Sequence, residues 1–152
     1  MARCVFCQIV RGEAEATRVY EDADFIAFMD IYPMRPGHVL VCPREHVPLI
    51  GGLPAAQPGA LFELGVRLAA ALRTSGLPCD DVNFVLNDGP AASQTVPHVH
   101  LHLVPRTRRD LGIVLGKLMA RPVQPLLGAA PRAVLEQQAA AIRAALGVSQ
   151  QT

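Results

Sequence analysis

Residues 97–106 read "PHVHLHLVPR" and set three of the chain's five histidines at alternate positions. Alternation has a geometric meaning. In a β-strand, residues two apart share a face and advance about 6.6 Å, whereas a helix would scatter the same residues around its circumference. As a strand, the segment puts His98, His100 and His102 on one face and Val99, Leu101 and Leu103 on the other. Three imidazoles on one face forgo packing and repel one another when charged, so the pattern asks for a chemical purpose. Two chemistries suit it. His-x-His can supply two ligands to a hydrolytic zinc, or a neutral imidazole can attack phosphorus while its neighbours donate hydrogen bonds. The stretch just upstream, "NDGPAASQT" at 87–95, favours the second. Asn87, Ser93, Gln94 and Thr95 can hydrogen-bond phosphate oxygens, and Gly89 permits close backbone approach.

Working outward, 152 residues with 51% hydrophobic and 18% charged content suit one domain over residues 1–152 with a substantial core. A formal charge of +1, with acidic and basic residues interspersed, argues against a nucleic-acid partner held by bulk electrostatics. No stretch approaches the roughly 20 apolar residues of a membrane helix, and the N-terminus lacks a signal-peptide core. The expectation is therefore a cytoplasmic protein with no membrane partner. In that compartment Cys4, Cys7, Cys42 and Cys79 point to metal binding or burial rather than a disulfide framework, with Cys42 and Cys79 expected as buried thiols.

"ATRVYED" and "DFIAFMDI" read as an antiparallel strand pair, and "HVLVC" as a central strand covered on both faces. Leu61, Leu64, Leu68 and Leu72 fall on one face of a helix over 58–74, with proline near its start and Gly76 past its end. "GGLPAAQPG" at 51–59 is a loop before that helix. "VNFVLN" gives another strand, and "HVHLHLV", closed by Pro105, the last. A second amphipathic helix runs from Pro131 to Gly147, while residues 107–130 carry no clear pattern. The sum is α+β: a mostly antiparallel five-stranded sheet, one long helix and a C-terminal helix.

"HVHLHLV" resembles the His-φ-His-φ-His-φ-φ signature of the histidine triad (HIT) family, nucleotide hydrolases and transferases, where φ is an apolar residue. The likeness extends through "CVFCQIVRGEAEATRVYEDADFIAFMDIYPMRPGHVLVCPREH" and "VLNDGPAASQTVPHVHLHLVPR", covering about residues 4–106. The extension from about 107 to 152 matches more loosely.

The resemblance implies that His100 attacks the α-phosphorus of a nucleotide, giving a nucleotidyl-histidine that water hydrolyses. His102 would assist the leaving group or a non-bridging oxygen, His98 would complete the triad, and His38 would orient it from a neighbouring strand. Asn87, Gln94 and Thr95 would complete the phosphate cradle. Asp30 matches the family's ribose-binding carboxylate, and Val5, Phe6, Phe28, Met29 and Ile31 match its base pocket, although the apolar residues alone also suit ordinary core packing. "CVFC" can chelate zinc or act as a redox pair. The resemblance implies structural zinc held by Cys4, Cys7, His46 and His98, with no cofactor needed for the chemistry. "RTRRD" at 106–110 could form a positive lip toward a polyphosphate or simply a solvated loop. The expected activity is that of a phosphoramidase acting on adenosine or guanosine monophosphate amides or esters, in a homodimer formed through the long helix and adjoining strand. Hydrolysis of diadenosine polyphosphates and non-catalytic nucleotide sensing are the alternatives.

Overall fold

The computed structural model describes residues 4–120 and 123–147. Five strands form one antiparallel sheet in the order β1-β2-β3-β5-β4. They are β1 (Arg18–Glu21), β2 (Phe25–Met29), β3 (Val39–Pro43), β4 (Asp81–Leu86) and β5 (Leu101–Arg106). The helices are α1 (Val5–Arg11), α2 (Gln57–Thr74), α3 (Leu111–Ala120), α4 (Gln124–Leu127) and α5 (Arg132–Leu146). Among the described residues, no helix is long and apolar enough to cross a membrane.

The unbroken apolar runs of β2 and β3 arise because both faces of the sheet are covered. Val39 and Val41 of β3, with Phe25, Ala27 and Met29 of β2, point into the larger core beneath α2 and α5. Their alternating neighbours Leu40, Cys42, Ile26 and Phe28 meet Phe6 and Ile9 of α1 on the other face. On β5, Leu101 and Leu103 join the larger core, so by alternation His100 and His102 belong to the α1 face. The fold thereby decides which side of the sheet carries chemistry.

Leu61, Leu64, Leu68 and Leu72 of α2 are all buried, as their spacing predicts. The helix lies so close to the sheet at Gly65 that a β-carbon there would meet Leu101 Cδ2 at 2.9 Å and Phe84 Cε1 at 3.0 Å. Leu135, Ala139 and Ile142 of α5 close the same core, and the helix ends at Gly147 with φ +73°.

Several expectations need correction. The last strand begins at Leu101 rather than His98, because β3 pairs it only from Val41 opposite Leu101 to Val39 opposite Leu103. It also continues through Pro105 to Arg106. Arg106 accepts a bond from the Asp80 amide on the β4 side, so Pro105 faces the other way, past the end of β3, where a missing N–H forfeits no ladder bond. Cys42 is buried, but Cys79 is only partly so. The short helix α1 and the helices of 107–130 carry no sequence signal that anticipates them.

Candidate functional site

A cavity of about 370 Å³ opens on the α1 face of the sheet. Helix α1 contributes Val5, Phe6 and Ile9 to its wall, and the end of β2 contributes Phe28, Met29, Asp30 and Ile31. His100 and His102 stand in it with Thr95 and Val96 from the preceding loop, and Pro125 of α4 adds to its lining. The walls are mostly apolar, with two imidazoles and the carboxylates of Asp30 and Glu15 placed at particular points, as small-ligand sites usually are.

The three histidines are not equivalent. His98 does not line the cavity, because its ring turns instead to Cys4, Cys7 and His46. Phe6 stands edge-on to both groups, with its ring centre 5.8 Å from that of His98 and 5.2 Å from that of His100. The expected single line of imidazoles is thus divided between two tasks.

Hydrogen bonds to the backbone assign the tautomers of His100 and His38, and the latter assigns that of His102. His100 Nδ1–H donates to the His98 carbonyl at 2.7 Å, which leaves the lone pair on Nε2. The Met34 amide donates to His38 Nδ1 at 3.1 Å, so His38 carries its proton on Nε2. That proton goes to His102 Nδ1, 3.0 Å away, and His102 in turn holds its proton on Nε2. Adjacent rings in the cavity, 4.9 Å apart, therefore present one nucleophilic nitrogen and one donor. Asp30 Oδ1 accepts from the Tyr32 amide at 2.8 Å, and its Oδ2 lies 3.5 Å from His38 Nδ1, where it would stabilise charge if that ring took a second proton.

The second cluster contains two thiols and two imidazoles whose ligand atoms all lie within 4.8 Å of one another. Cys7 Sγ is 3.2 Å from His46 Nδ1, and His98 Nδ1 is 3.5 Å from Cys4 Sγ and 3.6 Å from Cys7 Sγ. A tetrahedral zinc with bonds of about 2.3 Å to sulfur and about 2.0 Å to nitrogen requires sulfur–nitrogen separations of roughly 3.6 Å. The donor set fits. His98 Nε2–H donates to the Pro43 carbonyl at 2.8 Å, so its Nδ1 lone pair faces the thiols, the outer bond a metal-ligating imidazole wants. Burial, followed by the neighbouring Cys4 thiol, pushes the Cys7 thiol up from its ordinary value, and burial pushes His98 down. Both shifts oppose charge on the ligands in the protein alone, and a dication would reverse that preference for the thiols.

Of the proposed phosphate cradle, Thr95 lines the cavity, whereas Asn87 and Gln94 do not. The Gln94 amide is engaged with backbone: Oε1 accepts from Gly89 N at 2.7 Å, and Nε2 donates to the Pro48 carbonyl at 2.8 Å. A longer contact of 3.4 Å runs from the same Nε2 to the His98 carbonyl that holds His100. Gln94 thus braces the loop behind the nucleophile. Ser93 turns that loop with φ +67°, in the left-handed region that other residues than glycine seldom occupy. The Arg106 guanidinium is bound to Asp110 and Asn83 rather than placed along the cavity.

Comparison with known proteins bears on the fold that carries this geometry. Residues 11–109 match the HIT domain family model. An uncharacterised HIT-like protein of Mycobacterium tuberculosis is 41% identical over 140 residues, spanning 91% of this chain and 96% of its own. The crystal structure of a zinc-bound histidine triad family protein from Mycobacterium smegmatis aligns with a TM-score of 0.79 at 39% identity, covering 95% of this chain and 94% of that one. The adenosine 5'-monophosphoramidase of Saccharomyces cerevisiae is 32% identical over 115 residues, covering 76% of this chain and 70% of its own.

Proposed function

The chain belongs to the HIT family, and from that premise we propose that it is a nucleotide hydrolase that cleaves nucleoside monophosphate amides or esters through a nucleotidyl-histidine intermediate. The observation that carries this reading is His100, set in the cavity with Nδ1–H held by a carbonyl of its own chain, the tautomer whose lone pair lies on Nε2. Nε2 attacks the α-phosphorus, and a phosphorus–nitrogen bond forms as the bond to the leaving group breaks. His102 Nε2–H gives hydrogen-bond or proton assistance to the departing atom or to a non-bridging oxygen as charge shifts there. Water then attacks phosphorus, the phosphorus–nitrogen bond breaks, and the nucleoside monophosphate leaves with His100 regenerated.

Asp30 is suited to accept hydrogen bonds from ribose hydroxyls, and Phe6, Phe28 and Ile31 give a purine apolar walls. The adenosine monophosphoramidase relative supports a phosphoramidate as the substrate class. Zinc held by Cys4, Cys7, His46 and His98 would fasten the N-terminal segment to the triad segment and take no part in hydrolysis.

The test compares adenosine phosphoramidate with diadenosine tetraphosphate as substrates of wild type and His100→Ala. Turnover of the phosphoramidate, lowered at least about a thousandfold in the variant, is the expected outcome for a missing covalent nucleophile. Turnover of the tetraphosphate alone would reassign the substrate to dinucleoside polyphosphates. Tight AMP binding with turnover of neither would make the protein a nucleotide sensor.

The same reading includes a homodimer. Strand β4 forms one edge of the sheet, with Val85 exposed, and α2 beside it exposes Phe62 and Val66. Light scattering should give the mass of two chains, and a monomer at micromolar concentration would remove this part of the proposal.

A further inference from the structure

We propose that metal bound by Cys4, Cys7, His46 and His98 sets the affinity of the nucleoside pocket, because helix α1 belongs to both sites. This rests on the nucleotide-binding reading above and adds a regulatory link to it. Cys4 is the extended residue that immediately precedes α1 and Cys7 lies in its first turn, while Val5, Phe6 and Ile9 of the same helix form one wall of the cavity. A helix of seven residues with no side-chain cap at its start is too short to hold itself together in water, so its position depends on what it is fastened to.

Three fastenings are present. At its C-terminal end, the left-handed Gly12 caps the helix and Arg18 donates to the Ile9 carbonyl at 2.8 Å. In the middle, Phe6 and Ile9 pack into the smaller core, apart from the main core under α2. The N-terminal end has the thiol–imidazole cluster, the cross-link through which metal would fix Cys4 and Cys7 to His46 and His98. Metal there immobilises the turn that carries Val5 and Phe6, and a purine resting against Phe6 and Phe28, whose rings meet edge-on with centres 5.4 Å apart, immobilises it from the cavity side. Each ligand spares the other the cost of ordering one short helix, which is positive coupling. His98 supplies a second connection in the same direction, since its ring belongs to the metal cluster and its carbonyl holds His100.

Thermodynamic reciprocity makes the link testable from either side. AMP affinity is measured by calorimetry on the full chain, zinc-loaded and chelator-stripped, and zinc affinity by chelator competition with and without saturating AMP. We expect zinc to tighten AMP binding roughly tenfold and AMP to tighten zinc binding by the same factor. Amide exchange across residues 5–11 should slow with either ligand. Equal AMP affinity in both forms, within twofold, overturns the coupling and leaves the nucleotide reading intact. AMP binding in neither form defeats the nucleotide reading itself. Coupling without any change in exchange at 5–11 overturns α1 as its route, and so does loss of the whole sheet on stripping, because the metal would then hold up the entire domain. Absence of zinc binding overturns the proposal outright.

Discussion

Strand β5 and helix α3 lie four residues apart in the chain and are both rich in leucine and valine, yet they meet opposite fates. Leu101 and Leu103 of β5 are 0% exposed, whereas Leu111 and Met119 of α3 are 72% and 75% exposed and no α3 residue is buried. The difference is one of attachment. β5 sits between two strands and beneath α2, so each of its apolar side chains has a partner surface. α3 is tied down by polar groups at isolated points. Asp110, itself 2% exposed, precedes its first turn and receives the Arg106 guanidinium at 2.8–3.1 Å, the Thr107 amide at 2.9 Å and an ion pair from Arg35 at 3.3 Å. Further along, Lys117 Nζ donates to the Pro33 carbonyl at 2.7 Å, and past the helix the Ala130 amide donates to the Ile31 carbonyl at 2.8 Å. Apolar composition marks surface that can be buried, but only a facing element buries it.

Substitutions sharpen the contrast. Leu101→Ala should cost about 2–5 kcal/mol in denaturant unfolding, from lost burial and the cavity left between α2 and the sheet. An intermediate effect is expected for Asp110→Asn. Losing the charge in a buried, multiply bonded carboxylate should cost about 1.5–3 kcal/mol, with amide exchange across 110–120 rising while β5 stays protected. Acid should imitate that variant. Hydrogen bonds from Arg106 hold the Asp110 carboxyl below its ordinary value, so the tether is at full strength above about pH 4 and is lost as pH falls through the folded value. Protection at 110–120, taken relative to the intrinsic exchange rate at each pH, that stays flat as the Asp110 carboxyl takes up its proton would contradict the tether. Smallest of all, Leu118→Ala, on a side chain 51% exposed, should change the unfolding free energy of the isolated chain by less than about 0.5 kcal/mol. A loss as large as that of Leu101→Ala would show that a partner surface covers α3 in solution.

The same contrast explains what could be read from the sequence. The β1–β2 pair and β3 were legible from short apolar runs bounded by turn residues, and α2 and α5 from helical spacing, which reports a buried face directly, as with Leu61, Leu64, Leu68 and Leu72. Helix α3 was not, because "LGIVLGKLMA" is apolar all round and has no polar face to set a period. Helix α1 is short and uncapped, and its buried pair Phe6 and Ile9 is too brief a signal to stand out. In the site, the spacing of the triad was visible in the residues, whereas its division came only with the family resemblance, which put His98 with Cys4, Cys7 and His46: whether His98 turns to thiols or to the cavity depends on α1, nearly a hundred residues away in sequence. Gln94 illustrates a different limit, since a carboxamide serves a phosphate oxygen or a backbone group equally well and its neighbours in space decide which.

The carbonyl that steadies His100 comes from the main chain at position 98. It is therefore present whatever side chain stands there, so mutational drift can erase the thiol-facing imidazole without deleting the acceptor behind the nucleophile. The two duties of this position are inherited separately: one is carried by the genetic code, the other by the peptide bond.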